Sequence, residues 1–206
     1  MPHRAVGNLS GRVEATEPRR ERELDDLMVA YQRGDFSAFE ELYRRLAPKL
    51  RGYLCALTWR TSATEDLLQE AFLQMHRSRR TYLPGRPVVP WAFAVARHVY
   101  LMHRRDIVRR SKHEDAFGDG VPDLPVPPAV ESLATREAVL LALRELAQEG
   151  REALLLHHVW GFSFGEIGSL LGIREVTARV RTHRAVTSLK QLLAAENPRG
   201  NRHDGR

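Results

Sequence analysis

Basic side chains are concentrated in residues 77–112, where ten Lys or Arg residues stand against one acid in a chain whose net charge is +6. Aromatic residues alternate with these arginines, namely Tyr82, Trp91, Phe93 and Tyr100. Arginines that follow a phosphate backbone, together with rings that stack on bases, are how proteins hold single-stranded nucleic acid. The alternative is that the rings belong to the core and only the arginines are exposed, which is our expectation for Phe93.

A second basic cluster follows a helix-turn-helix pattern. Residues 163–171 form a short amphipathic segment that starts with Ser163 and has Glu166 at the capping-box position. Gly172 then provides a tight turn before a longer helix that starts near Arg174. A short helix, a glycine turn and a basic helix, in this order, are typical of proteins that read duplex DNA.

Helical periodicity divides the second of these helices into two faces. The stripe predicted to face the core consists of Ala178, Thr182, Ala185, Leu189 and Leu192. The opposite arc, which a major groove would receive, carries Arg179, Val180, His183 and Arg184. Arginine can donate two hydrogen bonds to guanine, and valine can contact a thymine methyl group. The alternative is a solvated basic face on an ordinary helical hairpin.

The predicted third helix has an acidic face. Its core stripe consists of Leu68, Ala71, Phe72 and Met75. Its second face consists of Asp66, Gln69, Glu70 and Leu73. A docking surface for a basic protein has this composition, but so does a solvated acidic face with one exposed leucine. Taken alone, the pattern favours the solvated face.

Catalytic and metal-binding patterns are missing from the sequence. The nine histidines include an adjacent pair, His157 and His158, and a pair five residues apart, His98 and His103, but no His-Glu-x-x-His motif. Cys55 is the only cysteine, so neither an internal disulfide nor a thiolate metal cluster can form. No glycine-rich phosphate loop or nucleophile elbow is present. We therefore expect no enzymatic activity, no metal and no cofactor.

The composition predicts a folded protein of one or two small domains. The chain has 206 residues, of which 43% are hydrophobic and 28% are charged. No apolar run approaches the roughly 18 residues that span a bilayer, and residues 1–22 lack the apolar segment of a secretory signal. We expect a cytoplasmic protein.

Apolar residues recur at helical spacing, which predicts an all-α fold of two small helical domains, the second ending in the helix-turn-helix. The first domain, residues 23–112, is expected to hold four helices, near 23–33, 36–57, 62–77 and 90–110, with a loop at 82–90. A flexible, acidic, proline-rich linker is expected at 113–129. The second domain, residues 130–195, is expected to break at 148–150, Gly161 and Gly172. Residues 1–22 and 196–206 are expected to be disordered tails.

Two motifs resemble those of bacterial sigma factors. Residues 64–72, Thr-Glu-Asp-Leu-Leu-Gln-Glu-Ala-Phe, are similar to their core-binding helix, and residues 162–185 resemble their carboxy-terminal helix-turn-helix. The two motifs stand in the same order and at the same separation as in that family. With only these two domains and a short linker, the chain resembles the extracytoplasmic-function (ECF) group of the sigma-70 family.

The resemblance implies a role for each of the three surfaces. The residues that would bind the clamp helices of core RNA polymerase are Asp66, Gln69, Glu70 and Leu73. The melted minus-ten element of the promoter would be held by the loop at 82–90 and by Tyr82, Trp91, Arg97, His98, Arg104 and Arg105. The minus-thirty-five element would be read as duplex by Thr177, Arg179, Val180, His183 and Arg184.

Several positions depart from the family pattern. Val176 stands where a glycine is common, Thr182 where a leucine usually packs, and Met102 where an aspartate is frequent. Residues 81–91 resemble a subgroup that is paired with membrane-embedded anti-sigma proteins. The partners that the resemblance implies are therefore core RNA polymerase, promoter DNA as duplex and as melted strand, and an anti-sigma factor.

Two other functions remain open at this point. A stand-alone helix-turn-helix transcriptional regulator would bind DNA through the second domain and use the first as a sensor or for dimerisation. Such a regulator needs neither the acidic third helix nor the single-strand patch. A small helical enzyme would need a constellation of polar residues in a pocket, and the sequence shows none.

Overall fold

The computed structural model describes residues 17–59, 61–110 and 133–196, and the regular secondary structure in these ranges is helical. The first domain contains α1 (Glu17–Gln32), α2 (Phe36–Thr58), α3 (Thr61–Ser78), a 3-10 turn (Arg79–Thr81) and α4 (Val88–Arg110). The second contains α5 (Leu133–Glu145), α6 (Gln148–His158), α7 (Phe164–Leu171) and α8 (Glu175–Glu196). The predicted all-α fold is confirmed. The linker predicted at 113–129 lies outside the described residues, as do residues 1–16 and 197–206 of the predicted tails.

Two helices begin earlier than the sequence predicts. α1 begins at Glu17, so residues 17–22 are helical rather than part of a tail, and Pro18 fits the first turn because that turn needs no N–H donor. α4 begins at Val88 because Oδ1 of Asp25, in α1, accepts the backbone N–H of Val88 at 2.7 Å. This hydrogen bond satisfies a donor at the helix start in the way an N-cap side chain does.

The break predicted at residues 148–150 is wrong. α6 begins at Gln148, and the chain leaves helical geometry at Ala147, whose ψ is 133°. Gly150 lies in the first turn of α6, facing α8. A Cβ atom on Gly150 would lie 3.3 Å from the Cβ of Ala185, so the glycine permits close helix packing rather than a turn.

Local caps fix other helix ends. The carboxylate of Asp35 accepts the backbone N–H groups of Ser37 and Ala38 at the start of α2. The capping box predicted for Ser163 and Glu166 is present at the start of α7. Gly172 ends α7 in the left-handed conformation, with φ of 71°, and confirms the predicted turn of the helix-turn-helix.

The first domain packs its helices around an apolar core. All four helices contribute large, fully buried side chains, including Met28, Leu42, Leu46, Leu50, Leu54, Leu68 and Phe93. The burial of Phe93 confirms its predicted place in the core.

The two domains pack against each other in this structure. Phe93 of α4 contacts Trp160 and Phe162 of the second domain, with ring centroids 5.6 and 5.0 Å apart. After the end of α2, Trp59 is buried against apolar residues of α5 and α6, and the guanidinium of Arg151 lies 5.0 Å from its ring centroid. The apolar core therefore continues from one domain into the other.

Candidate polymerase and promoter interfaces

The acidic face predicted on α3 is exposed. Asp66, Gln69, Glu70 and Leu73 all face solvent, and Leu73 is 41% exposed although its side chain is apolar. The opposite stripe, formed by Leu68, Ala71, Phe72 and Met75, is buried. Glu70 lies 3.8 Å from Arg77, and an exposed ion pair of this kind contributes little stability. The face is therefore an acidic surface with an apolar centre that is open to a partner.

Tyr43 of α2 extends this region, and the sequence prediction did not include it. Its ring lies 4.5 Å, centroid to centroid, from that of Phe72 in α3, yet the side chain is partly exposed. Phe72 belongs to the buried core stripe of α3 and precedes Leu73 of the acidic face. The signal in the sequence was weak, because a tyrosine beside Leu42 is equally typical of a buried position.

The second domain occupies part of the basic face of α4. Nε of Arg97 lies 3.0 Å from Oε1 of Glu152, and Nη1 of Arg104 donates to Oε1 of Gln148 at 2.9 Å. The amide of Gln148 also donates to the hydroxyl of Tyr100 at 2.9 Å. His98 and Arg105 face solvent without such a contact to α6. Three of the four polar residues predicted on α4 for the minus-ten element are thus exposed, because Arg104 contacts α6 but remains exposed, and Arg97 is half-buried.

Tyr82 and Trp91 lie at the base of the loop that precedes α4. Tyr82 is 2% exposed, and its hydroxyl donates to the carbonyl of Arg86. Burial, followed by the charges of Asp25 and Asp26, raises the pKa of Tyr82 to about 12, so the hydroxyl stays a donor. Direct contact between Tyr82 and DNA does not fit this burial. Trp91, which is half-buried, packs edge-on against Tyr82 at 5.6 Å.

The helix-turn-helix has the predicted inner and outer faces. On α8, Ala178, Thr182 and Ala185 are buried, while Leu189 and Leu192 are half-buried. The outward residues Arg179, Val180, His183 and Arg184 are exposed, and Thr177 is half-buried. This separation of faces is what a recognition helix needs to enter a major groove.

The turn between α7 and α8 depends on one close backbone approach. A Cβ atom on Gly168 would lie 2.8 Å from the carbonyl oxygen of Ile173 and 3.3 Å from the backbone nitrogen of Glu175. Only glycine therefore allows α8 to start this close to α7. Arg179 is held at the same corner, because its Nη2 atom lies 2.9 Å from Oε1 of Glu175 and its guanidinium lies 5.3 Å from the ring centroid of Phe164.

Thr182 is a polar residue in the apolar interface beneath α8. Its Oγ1 atom is buried and has no hydrogen-bond partner within the described part of the chain. A buried hydroxyl without a partner destabilises the fold. The buried hydroxyl of Thr182 therefore lowers the stability of the second domain, while the outward face of α8 keeps its predicted direction.

His157 in α6 has a structural role. Nδ1 of His157 makes a hydrogen bond of 2.8 Å with the carbonyl of Phe162, and its ring stacks on Phe164 at 4.3 Å. Among the described residues, no cluster of three or more His, Cys, Asp or Glu side chains could hold a metal ion. None of the helices in those ranges is both long and apolar enough to cross a membrane.

Comparison with known protein families supports both domains. Residues 42–110 match the family model of sigma-70 region 2, and residues 136–189 match that of sigma-70 region 4. The two matches together cover more than half of the chain. The first contains the acidic face of α3 and the basic face of α4, and the second contains the helix-turn-helix.

Two solved structures share the fold. The sigma factor RpoE in complex with the anti-sigma factor NepR from Bartonella quintana aligns with a TM-score of 0.66 and 24% identity, over 77% of this chain and 98% of that chain. The structure of CnrH in complex with the cytosolic domain of CnrY aligns with a TM-score of 0.62 and 22% identity, over 84% of this chain and 99% of that chain.

The matches to two sequence relatives span most of the length of each relative. The RNA polymerase sigma factor CarQ of Myxococcus xanthus is 37% identical over 169 residues, which are 81% of this chain and 95% of CarQ. The ECF RNA polymerase sigma factor SigM of Mycobacterium tuberculosis (strain H37Rv) is 33% identical over 181 residues, which are 87% of this chain and 89% of SigM. The chain thus belongs to the sigma-70 family as a sigma factor of the ECF type, which binds core RNA polymerase and directs promoter recognition and transcription initiation.

Proposed function

We propose that this sigma factor uses three separate surfaces to bind core polymerase and the two promoter elements. The acidic face of α3 binds core polymerase, the exposed part of α4 with the loop at 82–87 holds the melted minus-ten element, and the outward face of α8 reads the minus-thirty-five element as duplex. The observation that carries the proposal is the separation of charge: one acidic and two basic surfaces, each on the exposed side of a helix whose other side is buried.

The polymerase-binding surface is assigned to Asp66, Gln69, Glu70 and Leu73. Carboxylates around an exposed leucine fit a basic partner helix, because the leucine can be buried in the contact while the rim makes charge-assisted hydrogen bonds. The neighbouring ring of Tyr43 adds apolar area at the rim.

The promoter surfaces differ in the form of DNA that they fit. Trp91, Arg97, His98, Arg104 and Arg105 combine an aromatic ring with cations, which fits a single strand. The outward face of α8 fits a major groove, and it carries Arg179, Val180, His183 and Arg184, with Thr177 at the edge. Tyr82 is assigned the role of supporting the loop, because its side chain is buried.

The catalytic step of transcription is assigned to polymerase rather than to this chain. A sigma factor is a DNA-binding regulatory protein rather than an enzyme, and we infer that this chain brings no cofactor or metal to the reaction. It is expected to act where core polymerase acts, in the cytoplasm.

Control by an anti-sigma factor is a further part of the proposal. The structurally similar sigma factor RpoE is bound to the anti-sigma factor NepR, and CnrH is bound to the cytosolic domain of CnrY. The loop that precedes α4 resembles a subgroup with membrane-embedded anti-sigma proteins. We propose that such a partner competes with core polymerase for this sigma factor.

A double charge reversal tests the polymerase surface. Asp66→Lys with Glu70→Lys is expected to abolish co-purification of the full chain with core polymerase, because both positions are exposed and would repel a basic partner. Glu137→Lys with Glu145→Lys is the matched control, since it makes the same change in net charge at exposed positions of α5. Circular dichroism confirms that both variants remain helical.

The outcomes separate the proposal from the simpler regulator. Unchanged binding of core polymerase by the Asp66 and Glu70 variant would contradict the assignment of the acidic face. The isolated chain is expected to bind promoter duplex weakly and with a steep dependence on salt. Tight, sequence-specific binding of duplex without polymerase would favour a stand-alone DNA-binding regulator instead.

A further inference from the structure

The loop between the 3-10 turn and α4 is exposed but ordered by specific contacts. Leu83 is 65% exposed, and residues 84–87 also face solvent. An exposed loop distinguishes one base from another only if its backbone is held in a single position, since a displacement of about 1 Å loses the geometry of recognition. The contacts that fix the backbone of this loop therefore contribute to discrimination between promoter bases.

Gln32 holds the first end of the loop. It is the last residue of α1 and is half-buried. Its Nε2 atom donates to the carbonyl oxygen of Arg79 at 2.6 Å and to that of Tyr82 at 2.8 Å. Both donor positions of one amide group are thus used on the backbone that leads into the loop.

Asp25 holds the other end. Its Oδ1 atom accepts the backbone N–H of Val88 at 2.7 Å, where the loop ends and α4 begins. Asp25 and Gln32 are seven residues apart on α1, so they lie on the same face of that helix, two turns apart. One helix therefore fixes both ends of the loop.

Contacts within the loop make it a compact unit between these two anchors. The backbone N–H of Arg86 donates to the carbonyl of Leu83 at 3.1 Å, and the hydroxyl of Tyr82 donates to the carbonyl of Arg86. Gly85 adopts a φ of 83°, which the turn requires. Because the loop is closed on itself, a shift of either anchor moves all of its exposed side chains together.

We propose that Gln32 and Asp25 are positioning residues that set the base preference of this sigma factor in the minus-ten element, by fixing the loop at 82–87 against the melted strand. The inference rests on the proposed function of that loop. Gln32 and Asp25, which together form what we call the loop clamp, precede residue 42, where the match to region 2 begins, whereas the loop that they hold lies inside the matched segment.

Discrimination between bases is the measurement that tests the clamp. Holoenzyme is assembled from core polymerase and the full chain, and the strongest promoter that it transcribes from genomic fragments is made with every single-base change in both elements. Open-complex formation on this panel gives a ratio of preferred to non-preferred base at each position. A merely structural role would lower all promoters alike and leave these ratios unchanged.

Two pairs of variants isolate the hydrogen bonds. Gln32→Met removes the donors and keeps the length of the side chain, and Arg33→Gln changes the exposed neighbour as a control. Asp25→Ala removes the acceptor, and Asp25→Asn restores it, because an amide oxygen still accepts from Val88. Loss of one such hydrogen bond is expected to lower discrimination in the minus-ten element about three- to tenfold, with ratios in the minus-thirty-five element within about twofold of wild type.

The result expected is reduced discrimination for Gln32→Met and Asp25→Ala, with wild-type ratios for Arg33→Gln and Asp25→Asn. The double variant Leu83→Ala with Arg86→Ala tests the loop itself. If this loop variant loses discrimination while Gln32→Met and Asp25→Ala keep it, the clamp is wrong and the proposed function stands. If the loop variant also keeps discrimination, the assignment of the loop to the minus-ten element is wrong. If Gln32→Met fails to fold in a thermal unfolding control, the Asp25 pair decides the question.

Discussion

The Nε atom of Arg97 lies 3.0 Å from Oε1 of Glu152, which joins the basic face of α4 to the second domain. The same oxygen accepts the hydroxyl of Tyr53 at 2.6 Å, and Glu152 is only 7% exposed. Glu152 therefore occupies the Nε edge of the Arg97 guanidinium, so Arg97 can contact a phosphate only through the remaining N–H groups of this half-buried side chain.

Glu152→Ala is expected to weaken the docking of the two domains. Tyr53 and Arg97 lose their shared acceptor, and a buried donor left unpaired costs about 1–3 kcal/mol. Small-angle X-ray scattering should show a larger radius of gyration for the variant, and thermal unfolding a lower Tm. Glu145→Ala, at an exposed position of α5, serves as the control. An unchanged radius would mean that the apolar contacts of Trp59 and Phe93 hold the domains together without the carboxylate.

Gly168→Ala is expected to disrupt the helix-turn-helix. The added Cβ atom would lie 2.8 Å from the carbonyl of Ile173, so the backbone of the turn must move, at a cost of about 1–3 kcal/mol. Gly165→Ala is the matched control in the same helix, because its Cβ would meet its nearest neighbour, Oε2 of Glu175, at 3.7 Å. Urea unfolding and binding of duplex containing the minus-thirty-five element by holoenzyme measure the two effects. Equal stability of the two variants would contradict this account of the turn.

Thr182→Val is expected to stabilise the protein. Valine has nearly the same shape as threonine and removes a buried hydroxyl that lacks a partner among the described residues, which should raise the free energy of unfolding by about 1 kcal/mol. Thr187→Val is the control, because Oγ1 of Thr187 donates to the carbonyl of His183 at 3.1 Å and is exposed. A loss of stability on Thr182→Val would show that its hydroxyl has a partner.

Alkaline pH is expected to destabilise the protein partly through Tyr82. Its pKa is raised to about 12, mainly by burial, whereas an unfolded tyrosine titrates near about 10. The folded state keeps a proton that the unfolded state releases, so this contribution to stability is complete below pH 10 and is lost as the pH rises toward 12. Tyr82→Phe should flatten the pH dependence of the free energy of unfolding above pH 10, as measured by urea titration. Identical slopes in wild type and variant would contradict the prediction.

Substitution of Arg184 and of Arg105 by alanine is expected to weaken promoter binding in two different ways. Arg184, on the outward face of α8, is proposed to contact a base edge, so Arg184→Ala should cost roughly 1–3 kcal/mol and relax the preference at one or two positions of the minus-thirty-five element. Arg105, exposed on α4, is proposed to contact phosphate, so Arg105→Ala should weaken all promoters equally and reduce the salt dependence by about one unit. Open-complex formation on single-base promoter variants at several salt concentrations measures both. A uniform loss with Arg184→Ala would make it a backbone contact and move base reading to Arg179 and His183.

The fold class and the direction of each surface followed from the sequence, because both depend on local signals. Ser163, Glu166 and Gly172 determine where α7 begins and ends through hydrogen bonds and backbone conformation within a few residues. The spacing of Asp66 and Glu70 places them on one side of α3 whatever packs on the other side. Such patterns need no knowledge of the rest of the chain.

Only the tertiary structure determined which of the predicted site residues are buried and which elements pack against them. Arg97 and Tyr82 belong to a stretch of the sequence that is rich in basic and aromatic residues. Periodicity did not show that Arg97 would pair with Glu152 of α6. It also did not show that Tyr82 would be buried beneath the loop, with its hydroxyl on the carbonyl of Arg86. The carboxylate of Glu152 in α6 is buried where Tyr53 and Arg97, from two other helices, bind it. Periodicity reports the face on which a side chain lies, whereas its exposure and hydrogen bonds depend on the element that packs there.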